Sequence, residues 1–121
     1  MTDQDNYVAG VEAFKSGEVE KAIELLEIAT HDDHSNYRAF CYLGAAYAAK
    51  DRFNAAIGAF KTAEQIAPNI ASIHHNIAQA YEASGILNEA EYEYERAVEL
   101  NPGYAKALEA LSDLKKRLHH I

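Results

Sequence analysis

The chain has 121 residues, of which 49% are hydrophobic and 25% are charged, and this balance is typical of one globular domain. Its formal net charge of −8 argues against nucleic acids and anionic membrane surfaces as partners, because both are negatively charged. No apolar run approaches the ~20 residues that a membrane-spanning helix needs, so we expect no membrane segment.

The N-terminal residues and the cysteine content indicate the compartment. Residues 1–5 are acidic and lack the basic start and apolar centre of a signal peptide. Cys41 is the single cysteine and has no partner for an internal disulfide, which is typical of proteins in a reducing compartment. We therefore expect a cytoplasmic location.

Residues 3–36 form the first of three similar segments. Its small and apolar positions are repeated 34 residues later, so that Gly10, Gly17, Ala22, Leu26 and Ala29 are followed by Gly44, Asp51, Ala56, Phe60 and Ala63. The match is incomplete, because Ala9 stands where Leu43 is expected and His34 stands where Pro68 is expected. Atypical residues are usual in a terminal repeat, which has no outer neighbour.

Residues 37–70 and 71–104 match each other more closely. The paired positions are Phe40 and His74, Leu43 and Ile77, Gly44 and Ala78, Tyr47 and Tyr81, Ala56 and Ala90, Phe60 and Tyr94, Ala63 and Ala97, and Pro68 and Pro102. In each copy, apolar residues spaced i, i+3, i+4, i+7 share one helical face, and a second apolar run follows a short break. We predict one helix hairpin per segment, whose small residues allow close packing and whose apolar faces need a neighbouring hairpin.

Turn-forming residues separate the predicted helices. Gly85, and Asp51 in the preceding copy, stand where the first helix of a hairpin should end in a left-handed residue. Prolines end the second helices, because the residue before a proline is pushed out of the α region. The residues after these prolines, Asn69 and Gly103, are predicted N-caps of the helices that follow.

The C-terminal third contains a run of glutamates and a short basic run. The predicted solvated face of the last second helix comprises Glu89, Glu91, Glu93, Glu95 and Glu99. A further helix is predicted for residues 105–119, with a single apolar stripe of Leu108, Leu111, Leu114 and Leu118. One apolar face suits a helix that caps the end of a helical array. An alternative is that this helix docks on a partner through its basic residues Lys115, Lys116 and Arg117. Cations in the last turn of a helix also interact favourably with the helix dipole, which explains them without a partner.

The 34-residue period and the residues at these positions resemble the tetratricopeptide repeat (TPR). The resemblance implies an all-α fold, a right-handed α-solenoid of seven helices in one domain over residues 1–121. The repeats would span 3–36, 37–70 and 71–104, with the capping helix at 105–119. It also implies a non-catalytic scaffold that binds a protein or peptide in a concave groove lined by first helices, without a cofactor. The alternative is a structural module that self-associates into a homo-oligomer through this groove or through its first repeat.

The resemblance also implies which residues line the groove. The candidate groove positions are Tyr7, Val11, Phe14, Arg38, Cys41, Tyr42, Ala45, Ser72, His75, Asn76 and Gln79. The N-terminal half of this set is apolar, so an amphipathic helix or an extended apolar segment would fit it. Tyr7 and Tyr42 are the strongest candidates because tyrosine is enriched at binding hot spots, whereas Val8 and Phe14 could instead pack between helices.

TPR members that capture acidic C-terminal tails of heat-shock chaperones clamp the terminal carboxylate with Lys, Arg and Asn side chains. The matching positions here carry no positive charge, since they are Tyr7, Val11, Tyr42, Ser72 and Asn76. We therefore predict that this chain does not bind such tails.

Two groups of residues suggest chemistry. Cys41 and His75 share a repeat position, so with His74 they could form a nucleophilic Cys–His pair or a partial metal site. No orienting carboxylate or fourth ligand is evident, and a buried thiol with a groove-facing imidazole is the simpler interpretation. His31 and His34 could likewise hold a metal, but a polar turn explains them equally. We predict no catalytic residue and no metal site.

Overall fold

The computed structural model describes the backbone of residues 3–119 and the side chains from Asp5 onward. Over this range the chain forms seven α-helices and no strand: α1 (Asp3–Lys15), α2 (Val19–Asp32), α3 (Tyr37–Ala49), α4 (Phe53–Ile66), α5 (Ala71–Ala83), α6 (Leu87–Leu100) and α7 (Ala105–Leu118). The predicted all-α class is confirmed, and none of the described helices has the length and apolarity to span a bilayer. The predicted domain also includes residues 1, 2, 120 and 121, which lie outside the described residues.

The turn inside each hairpin contains a residue with positive φ at the same repeat position. These residues are Gly17 with φ 84°, Asp51 with φ 59° and Gly85 with φ 79°. Glycine adopts this conformation without steric cost, and aspartate is one of the few other residues that tolerate it. The predicted left-handed turn residues are therefore confirmed.

The boundaries between hairpins follow the prolines but not the predicted N-caps. Helices α4 and α6 end at Ile66 and Leu100, two residues before Pro68 and Pro102, as the restriction on pre-proline residues requires. The predicted caps Asn69 and Gly103 are wrong, because α5 and α7 begin one residue later, after Ile70 and Tyr104, without a side-chain cap. Apolar residues stand at the cap positions instead, and the carbonyls of Ile70 and Tyr104 accept hydrogen bonds from the backbone N–H groups of Ile73 and Leu108.

Helices α1–α4 form one compact unit, which ends at Pro68. Within it α1 packs on α2, α2 on α3, and α3 on α4. Its core includes Ala13, Ala22, Ile23, Leu26, Leu43 and Ala46. A Cβ atom added at Gly44 would lie 2.7 Å from the ring of Phe60, and one added at Gly10 would lie 2.7 Å from Leu26 Cγ. The repeated small residue therefore marks the point where the two helices of a hairpin approach most closely.

Helices α5–α7 form a second unit, which begins at Asn69. Within it α5 packs on α6 and α6 on α7, around a core of Ala78, Ala90, Tyr94 and Leu114. The predicted leucine stripe of α7 needs one correction, because Leu108 is 43% exposed while Ala107 is fully buried. The buried face follows positions 107, 111, 114 and 118, whose i, i+4, i+7 spacing keeps one helical face better than a stripe starting at 108.

Glu93 is not on a solvated face, and that prediction is wrong. Its side chain is buried, and its Oε1 atom lies 2.7 Å from Nδ1 of the buried His74. A buried polar side chain is tolerated when it has a hydrogen-bond partner, and here two polar side chains are buried together. The remaining members of the glutamate run are half-buried at Glu91 and exposed at Glu89, Glu95 and Glu99.

Candidate functional site

Three aromatic side chains of α1 and α3 come together on one face of the first unit. The Tyr42 ring lies 6.4 Å from that of Tyr7 and 6.1 Å from that of Phe14, both in edge-to-face arrangements. Tyr7, Phe14 and Tyr42 pack against the core of the unit and remain half-buried, so part of each ring reaches solvent. We call this set, together with Val11, the aromatic surface.

The aromatic surface follows from helical spacing. Tyr7, Val11 and Phe14 stand at i, i+4 and i+7 on α1, so they share one face. Phe14 packs against the core and is also partly exposed. It therefore fits both the prediction that it lines the groove and the alternative that it packs between helices. Val8 does not pack between helices, because 43% of it is exposed. Ala45, one turn after Tyr42 on α3, is half-buried and leaves room above the helix backbone.

Cys41 lies beside the aromatic surface and is a poor nucleophile. Burial raises the pKa of the Cys41 thiol to about 11, and the nearby Arg38 charge opposes this shift only in part. Because the thiolate is the reactive form, a thiol with this pKa is almost entirely protonated at neutral pH. Burial of the Cys41 thiol therefore counts against Cys41 as the nucleophile of a Cys–His pair.

Arg38 stands exposed at the edge of the aromatic surface. Its guanidinium lies 5.6 Å from the ring centroid of Tyr37, and its Nε donates a hydrogen bond of 3.2 Å to the Tyr37 hydroxyl. Its charge also reaches Tyr7: burial raises the pKa of Tyr7, Tyr42 raises it further, and Arg38 acts in the opposite direction. Arg38 thus places a positive charge next to the aromatic rings.

The candidate residues of the second unit are more polar. On α5, Ser72 and Gln79 are exposed and Asn76 is half-buried. His75 requires a correction, because the predicted groove-facing imidazole is 6% exposed and packs 5.7 Å from the Tyr94 ring and 5.2 Å from the Tyr104 ring. Burial lowers the pKa of His75 and the charge of Lys106 lowers it further, which favours the neutral ring.

The structure adds α7 to the candidate site of this unit. A surface depression of about 260 Å³ is lined by His75, Gln79, Lys106, Glu109, Ala110 and Asp113. An adjoining depression of about 390 Å³ is lined by Gln79, Glu82, Ala83, Tyr94 and Arg117. Sequence reasoning treated α7 as a solvating cap and missed these residues. Adding 34 to the groove positions of the third repeat would have found them, because Lys106, Glu109, Ala110 and Asp113 follow Ser72, His75, Asn76 and Gln79 by that interval.

Arg117 is engaged inside the second unit. Its Nη1 donates to the Glu82 carboxylate at 2.6 Å, and the Tyr94 hydroxyl donates to the same carboxylate at 2.8 Å. This chain of hydrogen bonds ties α7 to α5 and α6. It weakens the alternative of a basic docking helix, because one of the three predicted cations serves the packing of α7.

The two histidine pairs that the sequence suggested lie in different settings, His31 and His34 in a polar turn and Cys41 and His75 on helices of different units. His31 and His34 are exposed with ring centroids 6.4 Å apart, while Asp33 between them accepts hydrogen bonds from the Ser35 backbone N–H at 2.9 Å and hydroxyl at 2.6 Å. That arrangement is an Asx turn, as the polar-turn interpretation requires. The other predicted pair is divided between the units, with Cys41 on α3 and His75 held between tyrosine rings on α5.

Comparison with known proteins identifies the repeat. Family models described as tetratricopeptide repeat match residues 7–71 and residues 71–104. No curated protein matches the chain in sequence. Among solved structures, the chain is similar to the first TPR of Spaghetti (RPAP3) bound to the HSP90 peptide SRMEEVD, with a TM-score of 0.91, 23% identity and coverage of 96% of this chain and 92% of that chain.

Two further solved structures share the fold. One is the Yersinia enterocolitica type III secretion chaperone SycD in complex with a peptide of the translocator YopD, with a TM-score of 0.90, 21% identity and coverage of 96% and 94% of the two chains. The other is the second TPR domain of human RPAP3 in complex with the HSP70 peptide SGPTIEEVD, with a TM-score of 0.87, 24% identity and coverage of 95% and 99%. Together with the helix order and the repeated turns, these matches show an all-α solenoid of TPR hairpins followed by a capping helix. The chain belongs to the tetratricopeptide repeat family.

Proposed function

We propose that this chain is a non-catalytic scaffold that binds a protein or peptide segment against the first helices of its repeats. The observation that carries the proposal is the aromatic surface, where Tyr7, Phe14 and Tyr42 are in mutual contact and partly open to solvent. Contiguous exposed apolar surface marks interaction sites, and tyrosine is enriched where binding energy concentrates. The peptide complexes of Spaghetti, SycD and RPAP3 support this use of the fold.

The chemistry of the described residues suggests the kind of segment. On α1 and α3, an amphipathic helix or an extended apolar segment would bury its side chains against Tyr7, Val11 and Tyr42. In the second unit, Asn76 and Gln79 on α5 offer amides that can form hydrogen bonds with polar groups of a partner. The net charge of −8 disfavours nucleic acid and anionic membranes, and we propose that binding takes place in the cytoplasm.

A free acidic C-terminus is not the proposed ligand, although two of the similar structures hold such peptides. The clamp positions of this chain offer hydroxyl, amide and apolar groups and no cation, since they are Tyr7, Val11, Tyr42, Ser72 and Asn76. Calorimetry with a peptide ending in Glu-Glu-Val-Asp should therefore detect no binding, and micromolar affinity would contradict this part of the proposal.

A pair of tyrosine variants tests the location of the binding surface. Tyr42→Glu places a charge among the aromatic rings, and we expect partner capture to weaken by more than ~1.4 kcal/mol, which is tenfold in affinity. Tyr92→Glu is the matched control, because Tyr92 is 58% exposed on the second helix α6. Pull-down with quantitative mass spectrometry, with helicity checked by circular dichroism, compares both variants with the wild type. Capture that survives Tyr42→Glu and fails in Tyr92→Glu would place the binding surface elsewhere.

Self-association is the second candidate function. Val8 is 43% exposed on α1 next to Tyr7, so apolar surface is available to a second copy of the chain. Light scattering over a concentration series distinguishes the two candidates. A dimer that dissociates in Tyr7→Glu would favour self-association, whereas a monomer that still captures a partner would favour the scaffold.

A further inference from the structure

We infer that the segment bound on the aromatic surface carries an aspartate or glutamate side chain beside its apolar anchor, and that Arg38 binds this carboxylate. This inference rests on the proposed function and names the chemistry of its partner. The occupant is an internal acidic and apolar segment of another protein, which differs from a free C-terminal carboxylate.

The first support is that Arg38 has no acidic partner among the described side chains. Its contacts are the ring and the hydroxyl of Tyr37. Two other cations of the same unit, Lys50 and Arg52, approach the Glu20 carboxylate at 3.6 Å and 3.3 Å. A guanidinium is a planar fork of donors that matches a carboxylate in two-point contact, so Arg38 retains this capacity for a ligand.

The second support is the position of Arg38. It precedes Cys41 by three residues and Tyr42 by four, so these side chains share one face of α3. Its positive charge opposes the pKa increase of both Cys41 and Tyr7, which places the charge close to the aromatic surface. A carboxylate bound there would therefore lie beside the half-buried aromatic rings, and the ion pair would be sensitive to salt because Arg38 is exposed.

The third support is the absence of carboxylates from this face of α1 and α3 in the described residues. The side chains there are Tyr7, Val11, Phe14, Lys15, Arg38, Cys41, Tyr42 and Ala45. Glu12 lies on another side of α1, where it lines a depression of about 200 Å³ with Ala13, Glu18 and Lys21.

The chain has 19 acidic residues against 11 Lys and Arg, so a face whose charged side chains, from Asp5 onward, are all cations departs from the chain's overall charge. Lys15 follows Tyr7 by eight residues, about 12 Å along the helix, and adds a second cation at the far end of the aromatic surface. This arrangement is complementary to an apolar segment with acidic residues and repels a basic one.

Selection from a library tests the inference without knowledge of the natural partner. The probe is a phage-displayed library of random twelve-residue peptides fused to the coat protein, which leaves no free peptide C-terminus. The library is selected on the wild type, Arg38→Gln, Tyr42→Glu and Lys21→Gln. Lys21→Gln is the matched control, because it removes one positive charge from the same unit on the side that faces Glu12 and Glu18.

The expected result is that wild type and Lys21→Gln enrich peptides with a large apolar residue and a nearby Asp or Glu. Selection on Arg38→Gln should keep the apolar preference and lose the acidic one. The best peptide and its Glu-to-Gln version, both with amidated C-termini, are then compared by fluorescence anisotropy. We expect the glutamine version to bind wild type about threefold more weakly at low salt, with the difference shrinking at high salt and disappearing in Arg38→Gln.

The outcomes separate this inference from the proposed function. Peptides that bind wild type and fail on Tyr42→Glu, but show no acidic preference or keep it in Arg38→Gln, would overturn the role of Arg38 alone. An absence of enriched peptides, or binding that Tyr42→Glu leaves intact, would overturn the aromatic surface as the binding site and the inference with it.

Discussion

The close approach of α3 and α4 at Gly44 makes a quantitative prediction about two glycines. A Cβ atom at Gly44 would lie 2.7–2.8 Å from three atoms of the buried Phe60 ring, whereas a Cβ atom at Gly58 on α4 would meet no atom within 4 Å. Both glycines stand inside helices, so replacement by alanine yields the same gain in helix propensity, about 1 kcal/mol. The two variants therefore differ only in whether the added methyl group has room.

The expected free energies follow from these contacts. Gly58→Ala should raise the free energy of unfolding by about 0.5–1 kcal/mol, because the methyl group meets no neighbour. Gly44→Ala forces the Phe60 ring to move in a packed interior, which costs about 1–3 kcal/mol and offsets or exceeds the propensity gain. The difference between the two variants isolates the packing cost, and it should be about 1–3 kcal/mol.

Urea denaturation followed by circular dichroism measures this difference. The two variants and the wild type are unfolded under the same conditions, and the slopes of the transitions are compared to check that the same surface is exposed. Equal stabilisation by Gly44→Ala and Gly58→Ala would refute the close approach of Gly44 to Phe60. The 34-residue period would then lose its physical explanation at this position.

Three further predictions follow from single contacts. Glu93→Ala should lower the free energy of unfolding by about 1–3 kcal/mol, because it removes one buried hydrogen bond of His74 and leaves a space in the core. The exposed Glu95→Ala should change it by less than about 0.5 kcal/mol, and equal effects in urea denaturation would contradict the buried pair. With a thiol pKa of about 11, Cys41 should react with iodoacetamide at a rate that rises about tenfold per pH unit through pH 10, and a plateau below pH 9 would contradict its burial. Burial and the hydrogen bond to Glu27 raise the pKa of Tyr47 from 10.0 to about 12, so its contribution to stability is complete below pH 10 and is lost as pH rises towards about 12. Tyr47→Phe should therefore lose less stability than wild type over this interval, and parallel pH profiles would count against the shift.

The hairpins were predictable because each depends on side chains that recur at one interval. Gly44 and Phe60 meet in the first unit, and the equivalent Ala78 and Tyr94 share a core cluster in the second. The left-handed turn residues were predictable for the same reason, since few residue types tolerate positive φ. The aromatic contact of Tyr7 with Tyr42 was anticipated only through the family's groove positions, because periodicity assigns faces to helices without deciding which faces meet.

The buried His74–Glu93 pair could not be predicted from helix periodicity. Glutamates alternate along α6, so no single one is marked as inward-facing by its neighbours. A signal exists in the comparison of repeats, because Phe40 and the buried Ala59 stand 34 residues before His74 and Glu93. Both positions are apolar in the second repeat and polar in the third, as expected if the two polar side chains form a buried hydrogen-bonded pair.

The burial of His75 and the role of α7 depend on contacts that local sequence does not contain. His75 is covered by Tyr104 from the turn before α7 as well as by Tyr94, and neither ring is near it in sequence. The groove-like residues of α7, such as Lys106 and Asp113, were hidden because a charged helix face is also what a solvating cap would show.

The aromatic surface on α1 and α3 is tested most directly by site-specific photo-crosslinking. A benzophenone amino acid is placed at Tyr42 in one variant and at Tyr92 in another, and each is irradiated in extract from the cells that make the protein. We predict a crosslinked partner peptide at position 42 and none at position 92, with an acidic residue close to the crosslinked site. A partner crosslinked at position 92 and absent at position 42 would contradict binding through the aromatic surface.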